Sequence, residues 1–470
     1  MSELNVRNPR NGLTDYHITP PTTEQLSKCC HALRSAQSDW LQLGLAGRIE
    51  VLHQWKTALE IEKDKVLGAL VEDTGRESES ILEFNSILSM IDRWSLSAPD
   101  ILKLDDRRTS SIPFLKIEGE NVPYHLVGVI SPWNFPLLLS LIDAIPALLA
   151  GSAVIIKPSE FTPRFVKPLM DTISKVPSLK GVFEVVVGAG ETGVNIINNV
   201  DLVTFTGSVT TGRKVAEACA KRFIPASLEL GGKDPALVLK TADIDIATSA
   251  ILWGSVANAG QSCLSIERIY VDEAIFDSFV KSLVQKAKKL QLAYPTFKDG
   301  QIGPIITEQQ TKIIDDQLTD ARTKGATVHS GGTIEEHSGG LWCRPTVLTN
   351  VNHDMKVMTE ETFGPLLPVM SVKNVDEAIG FANATSFGLG GAVFAGTEEE
   401  AISVAHQLEA GAISINDAAL TAIMYEGEKN SFKLSGMGGS RMGSASIKRF
   451  IRKKALLINT GAKDPWWYEV

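Results

Sequence analysis

The chain has 470 residues, 44% of them hydrophobic and 21% charged, an ordinary balance for a globular protein able to bury a large core. Its length predicts roughly two to four domains. A net charge of −9 with no basic stripe excludes a nucleic-acid surface, since the run from Arg449 to Lys454 is interrupted by Phe and Ile.

The polar start MSELNVRNPRNG lacks the apolar stretch of a signal peptide. The longest apolar run, 137–150, is broken by Asp143 and Pro146 and is too short to span a bilayer. Both features predict a cytoplasmic protein with no membrane span. Five cysteines, an odd number without regular spacing, argue against a disulfide framework. With no CxxC or paired histidines, no metal site is expected.

In chain order, residues 24–100 carry apolar positions at helical spacing, with Gly75 as a stop. Residues 108–130 alternate and are rich in β-formers, which predicts strands with a turn near 119–121. From there strands and helices alternate. GSAVIIKP reads as a buried strand, 161–173 as a helix, VFEVVVG as a strand, ETGVNIINN as a helix, DLVTFTGS as a strand and TTGRKVAEACAKR as a helix. Such alternation implies a parallel sheet covered on both faces. A second series follows: helix 243–261, strand ERIYV, helix 275–290, and strands GAVFAG and GAISIN. KALLINT reads as a last strand before an aromatic tail with Trp466, Trp467 and Tyr468.

Gly188-Ala189-Gly190-Glu191-Thr192-Gly193 matches GxGxxG after a strand. The dinucleotide fingerprint also needs an acid at the end of the following strand. That strand ends Val203-Thr204-Phe205-Thr206, so a plain glycine-rich turn is the better reading. The junction at Gly207-Ser208 opens the next helix. Its backbone N–H groups and hydroxyl suit an anionic phosphate, although Gly-Ser also makes an ordinary helix cap.

Five segments carry the chemistry together: Pro132-Trp133-Asn134-Phe135-Pro136, Lys157-Pro158-Ser159-Glu160, Glu229-Leu230-Gly231-Gly232-Lys233, Gly260-Gln261-Ser262-Cys263, and Glu361-Thr362-Phe363-Gly364-Pro365. In this order, and with Glu229 and Cys263 34 positions apart, the sequence from about residue 24 to 455 resembles the aldehyde dehydrogenase superfamily. A thiolate attacks a carbonyl carbon readily. The resulting oxyanion needs fixed donors, and Asn134 offers a side-chain NH2. A carboxylate can activate the water that cleaves a thioester.

The resemblance implies Cys263 as nucleophile, Asn134 with the Cys263 N–H as oxyanion donors, and Glu229 as general base. It implies NAD on Lys157 and Glu160 at the adenosine ribose, Trp133 and Ser208 at the pyrophosphate, Glu361 at the nicotinamide ribose and Phe363 near the ring. Gly190 would lie beside the adenine. Ile130, Ser131, Pro132, Ser159, Thr206, Gly207, Leu230 and Gly231 complete the expected contacts. A Glu160 carboxylate repels a 2′-phosphate and favours NAD, while Lys157 leaves NADP as the alternative. Without the family context, Cys263 would be a core thiol, Glu229 a strand end, Asn134 a turn residue, and Trp133 and Phe135 core. Cys29, Cys30, Cys219 and Cys343 keep the core reading.

Two segments depart from the family pattern. Ser440 stands where an acidic residue is common, and 420–429 is unusual. The helix after Asn134 presents Phe135, Leu138, Leu139 and Ile142 at helical spacing, and Leu264 follows the nucleophile. If they line a tunnel, the aldehyde is hydrophobic, aliphatic or aromatic, and no Arg or Lys is evident for a carboxylate-bearing one. The competing reading makes them core. Competing functions are coenzyme A-acylating aldehyde oxidation, a cofactor-independent thiol esterase, and a non-catalytic protein on the same fold.

The expected architecture is α/β, with two Rossmann-like parallel-sheet domains and a small β oligomerisation element. Residues 1–107 and 125–230 would bind the cofactor, 231–430 would form the catalytic domain, and 108–124 with 431–470 the oligomerisation element. The exposed edges of the latter predict a homodimer or homotetramer.

Overall fold

Short apolar runs such as LVGVI, AVIIK and LVTFT are buried along their whole length, as strands of a parallel sheet covered on both faces must be. In the computed structural model, which describes residues 3–461, they form the middle of a six-stranded sheet. Its order is Gly436–Met437, Ala226–Glu229, Leu202–Thr206, Leu126–Ile130, Ala153–Lys157, Phe183–Val185. All pairings are parallel except that of Gly436–Met437, a strand from near the end of the chain that closes one edge. The chain enters at Leu126–Ile130, builds outward to one side, then returns to build the other. The strand order therefore reverses beside Leu126–Ile130, the point at which open α/β sheets form a binding crevice at the carboxyl ends of their strands.

A second sheet has the order Thr327–Val328, Thr346–Thr349, Leu366–Val372, Ile266–Asp272, Asp234–Val238, Gly390–Phe394, Ala412–Ile415. Only its first pairing is antiparallel. Each sheet has its own hydrophobic core, and the helices between Thr23 and Ile101 pack on the first. The two-sheet α/β architecture expected from the alternating pattern is present.

Several local features differ from the sequence reading. The strand Leu115–Pro123 runs straight through Gly119 and Asn121, because it pairs along its full length with Ile451–Asn459; the turn falls at Tyr124 and His125 instead. The helix expected from 161 starts at Val166, since the N–H of Arg164 is taken by the buried carboxylate of Asp73. The helix expected over 243–261 stops at Val256, where the chain turns left-handed before Cys263. A hairpin of Leu4–Arg7 and Thr14–Ile18 was not anticipated. Its turn residue Arg10 bonds to the carbonyls of Gly75, Ala293 and Pro295, tying the two halves together.

Ile451–Asn459, Leu115–Pro123 and Arg108–Thr109 form a separate three-stranded ribbon. Phe432–Lys433 and Gly436–Met437 pair instead with Phe387–Gly388 and with Ala226–Glu229. The aromatic tail at 466–468 lies outside the described residues. Among the described residues no helix is long and apolar enough to cross a membrane.

Candidate active site

Four adjacent parallel strands of the first sheet end on expected site residues. Ile130 is level with Lys157 and with Phe205, and Thr206 is level with Glu229. The loop after Ile130 carries Ser131, Pro132, Trp133 and Asn134; the loop after Lys157 carries Ser159 and Glu160. The strands of the second sheet begin where the first sheet's end. Gly232 precedes Asp234–Val238, Cys263 precedes Ile266–Asp272, and Glu361 and Phe363 precede Leu366–Val372. The site therefore lies between the carboxyl ends of one sheet and the amino ends of the other.

Contacts across this junction are close. The Gly232 N–H donates to Glu361 Oε1 at 3.0 Å. A Cβ on Gly232 would stand 2.5 Å from the Cys263 carbonyl, and one on Gly231 would stand 2.5 Å from the Glu361 carboxylate. Gly232 has no room for a side chain, and one at Gly231 would have to displace the Glu361 carboxylate. Trp133 and Phe363 meet edge to face, their centroids 5.4 Å apart. Burial, with the nearby Glu267 carboxylate, pushes the Glu361 carboxyl up to about 8.

Cys263 follows three consecutive residues of positive φ, Asn258, Ala259 and Gly260. Backbone held this way costs energy and persists only where its surroundings over-determine it. Gln261 supplies that restraint. Its side chain donates to the carbonyls of Asn258 and Pro304 and accepts from the Ile306 N–H. Its carbonyl accepts from Asn134 Nδ2 at 3.0 Å, so Asn134 is bonded to the turn that carries Cys263. One amide hydrogen of Asn134 is thereby used and a second remains. Burial pushes the Cys263 thiol up to about 12. Glu361 adds to the rise, against the cations of Lys429 and Arg441.

Glu229, Asn134 and Cys263 line one cavity of about 1030 Å³. Phe135, Leu138, Leu139, Ile142 and Leu264 line it as well. Cys30, Cys219 and Cys343 are buried and Cys29 is half-buried, away from this cavity. The expectation that no Arg or Lys would be found there is corrected, because Arg76, Lys429 and Arg441 are also on the wall. Each comes from a segment distant in sequence. Arg76 is paired with Glu83 at 3.1 Å, Lys429 with Glu229 at 3.6 Å, and Arg441 with Asp143 at 2.9 Å. Burial works to raise the Asp143 carboxyl, yet Arg441 and Arg449 together hold it at about 2.

Arg76, Glu83, Asn258, Ser431 and Arg441 were not singled out in the sequence. One signal was present: Asp143 interrupts an apolar helix, and a buried carboxylate needs a cationic partner. Ser440 is buried and turned into its own loop, accepting from the N–H groups of Lys429 and Met442 and donating to the Met442 carbonyl.

The residues expected at the cofactor crevice are largely engaged with one another. Lys157 Nζ donates to the carbonyls of Pro158 and Gly188 and stands 3.5 Å from Glu160. Burial pulls this ammonium down, with Glu160 opposing the change. A Cβ at Gly190 would meet nothing within 4 Å, so that turn is open. Ser208 caps the helix Val209–Arg222, accepting from the Thr211 N–H, and Gly207 N–H donates to the Glu229 carbonyl. Thr206 Oγ1 is taken by Arg441, and Ser159 Oγ by the Phe161 N–H.

Two α/β halves closing a cleft over a cysteine, an asparagine and a glutamate define a dinucleotide-linked enzyme class. The chain belongs to the aldehyde dehydrogenase family, whose family model matches residues 1–456. It is an enzyme, and its reaction is NAD(P)-dependent oxidation of an aldehyde to the acid. It is similar to the structure of a protein assigned as an aldehyde dehydrogenase (PutA) from Anabaena variabilis, with 59% identity, a TM-score of 0.98 and 100% of each chain covered. Betaine aldehyde dehydrogenase from Staphylococcus aureus, solved in complex with NAD+, matches at 29% identity and a TM-score of 0.93, over 100% of this chain and 94% of that one. Among relatives, the chain is 36% identical to a 4,4'-diapolycopene aldehyde oxidase of Methylomonas sp, over 100% of this chain and 88% of the relative. It is 34% identical to a protein of Mycolicibacterium smegmatis assigned as an NADP+ succinate-semialdehyde dehydrogenase, over 93% of this chain and 84% of the relative.

Proposed function

We propose that the chain oxidises a hydrophobic aldehyde to the carboxylic acid through covalent catalysis at Cys263, with NAD as the preferred cofactor. What carries this reading is the convergence of Asn134, Glu229 and Cys263 on one largely apolar cavity beside the crevice. The dinucleotide, when bound, supplies the hydride acceptor.

The Cys263 thiol gives up its proton to solvent water and the sulfur bonds to the aldehyde carbon, whose C=O π pair becomes the oxyanion. The second amide hydrogen of Asn134, held in direction by the Gln261 carbonyl, receives the oxyanion together with the Cys263 N–H. Collapse of the adduct expels hydride from that carbon and leaves a thioester on sulfur. Glu229 takes a proton from water, which attacks the thioester and releases the acid and the thiolate. A thiol acceptor in place of water would not need this carboxylate, so Glu229 on the cavity wall favours hydrolysis over coenzyme A acylation.

The Glu160 carboxylate next to Lys157 would accept from ribose hydroxyls and repel a 2′-phosphate, which favours NAD. Trp133 and Phe363, in contact across the junction, would flank the nicotinamide, and Glu361 its ribose. We also propose that the ribbon of Ile451–Asn459, whose Leu457 is 76% exposed, joins copies of the chain into a dimer or tetramer. The test of the reaction is a panel of aldehydes assayed with NAD and with NADP, with the product identified in the presence and absence of coenzyme A. Acid formation with NAD supports the proposal; an acyl-coenzyme A product, or ester turnover without aldehyde oxidation, overturns it.

A further inference from the structure

We propose that the substrate is a long, apolar aldehyde whose chain runs from Cys263 to the mouth of the cavity, and not a short aldehyde or one with a distal carboxylate. This rests on the reading of Cys263 as the nucleophile. About 1030 Å³ is at the upper end of what small-molecule sites enclose, and a two-carbon aldehyde would leave most of it unfilled. The wall is apolar along the helix that follows Asn134, through Leu138, Leu139 and Ile142.

That apolar surface continues outward. Ile81, Leu82 and Trp253 line the same cavity, yet they are 39%, 47% and 45% exposed. They come from two helices distant in sequence, Ser78–Ile101 and Ile244–Val256, and are the solvent-exposed part of the cavity's apolar lining. Exposed apolar side chains converging on a cavity mouth mark a surface that something apolar covers. The extended tail of a substrate held by its aldehyde at Cys263 is positioned to do so.

The charges on the wall point the same way. Arg76, Lys429 and Arg441 each have a carboxylate partner, in Glu83, Glu229 and Asp143. Lys286 is held by Asp245 at 2.8 Å. A substrate carboxylate would have to compete with a protein carboxylate for any of these cations. Glu77 and Lys289, also on the lining, are exposed to solvent.

The experiment is a series of unbranched alkanals, from acetaldehyde to dodecanal, assayed with NAD alongside the ω-carboxylated counterpart of each length. Each methylene buried should raise kcat/KM about fourfold until the mouth is passed. The ω-carboxylated compounds should fall well below their alkanals. Trp253→Glu and Leu82→Glu should each lower kcat/KM for dodecanal at least tenfold more than for propanal. A profile that peaks at short alkanals, or ω-carboxylated aldehydes preferred over alkanals, overturns the proposal while leaving the reaction itself standing. Equal loss on propanal and dodecanal in both variants also overturns it, since the rim would then support the fold and not the chain. Oxidation of no aldehyde at all would overturn the underlying reading of Cys263 instead.

Discussion

Ser431 Oγ donates a hydrogen bond to Glu229 Oε2 at 2.8 Å, and Lys429 Nζ lies 3.6 Å from the same oxygen. The proposed general base is thus held by Lys429, the last residue of the unusual 420–429 segment, and by Ser431 just beyond it. Losing a hydrogen bond to a charged group costs on the order of 2 kcal/mol. Ser431→Ala should therefore slow thioester hydrolysis by about thirtyfold. Formation of the thioester should be little affected, so a rapid burst of reduced cofactor should precede the steady rate. A slowed burst phase would place Ser431 in the first step instead.

Glu229→Gln keeps the shape of the side chain and removes its ability to take a proton. Acylated Cys263 should accumulate in this variant, visible as an added mass on the peptide containing Cys263. Its absence under turnover would remove the general-base assignment.

Cys263→Ala should abolish aldehyde oxidation while dinucleotide binding, followed by fluorescence titration, stays near its normal strength. With its thiol pushed up to about 12, Cys263 in the cofactor-free protein is protonated at neutral pH. Alkylation by iodoacetamide should therefore speed up about tenfold per pH unit from pH 7 to 10 without levelling off. A plateau near neutrality would mean that the cations of Lys429 and Arg441 outweigh burial.

Arg76 donates to the Asn134 carbonyl and to Glu83, while Glu83 accepts from the N–H groups of Leu137 and Leu138 that open the next helix. Asn134→Ala, which removes an oxyanion donor aimed by this network, should cost about a hundredfold to a thousandfold in kcat. Arg76→Lys, which keeps a cation for Glu83, should lower kcat in the native background and add little in Asn134→Ala. Additive losses in the double variant would show that Arg76 acts elsewhere.

Asp143 lies between Arg441 and Arg449, and its carboxyl sits at about 2, below its ordinary 3.8. A depressed carboxyl stabilises the fold at every pH above its unfolded value and loses that contribution as pH falls from about 4 towards 2. Asp143→Asn should cost about 3–5 kcal/mol at pH 7, because it strands two buried cations. The gap in stability from the native chain should close towards pH 2, which denaturation curves at several pH values would measure.

The alternation of apolar strands and amphipathic helices was enough to read an α/β fold with two parallel sheets. Burial on both faces demands continuous apolar runs, and these are visible one residue after another. The motifs around Asn134, Glu229, Cys263 and Glu361 were equally legible. Each sits in a short local motif, such as that of Gly232, which has no room for a side chain against the Cys263 carbonyl.

What the sequence could not display were relations between distant segments. The strand Leu115–Pro123 looked as if it turned at Gly119, and it is straight because Ile451–Asn459 pairs with it. The cavity looked free of cations because Arg76, Lys429 and Arg441 reach it from far along the chain. Local pattern determined the elements and the reactive groups, since those depend on neighbours in sequence. Which charges face one another, and what the cavity admits, was decided only when the two sheets closed around Cys263, because the strength of a buried charge depends on partners that only the packed fold supplies.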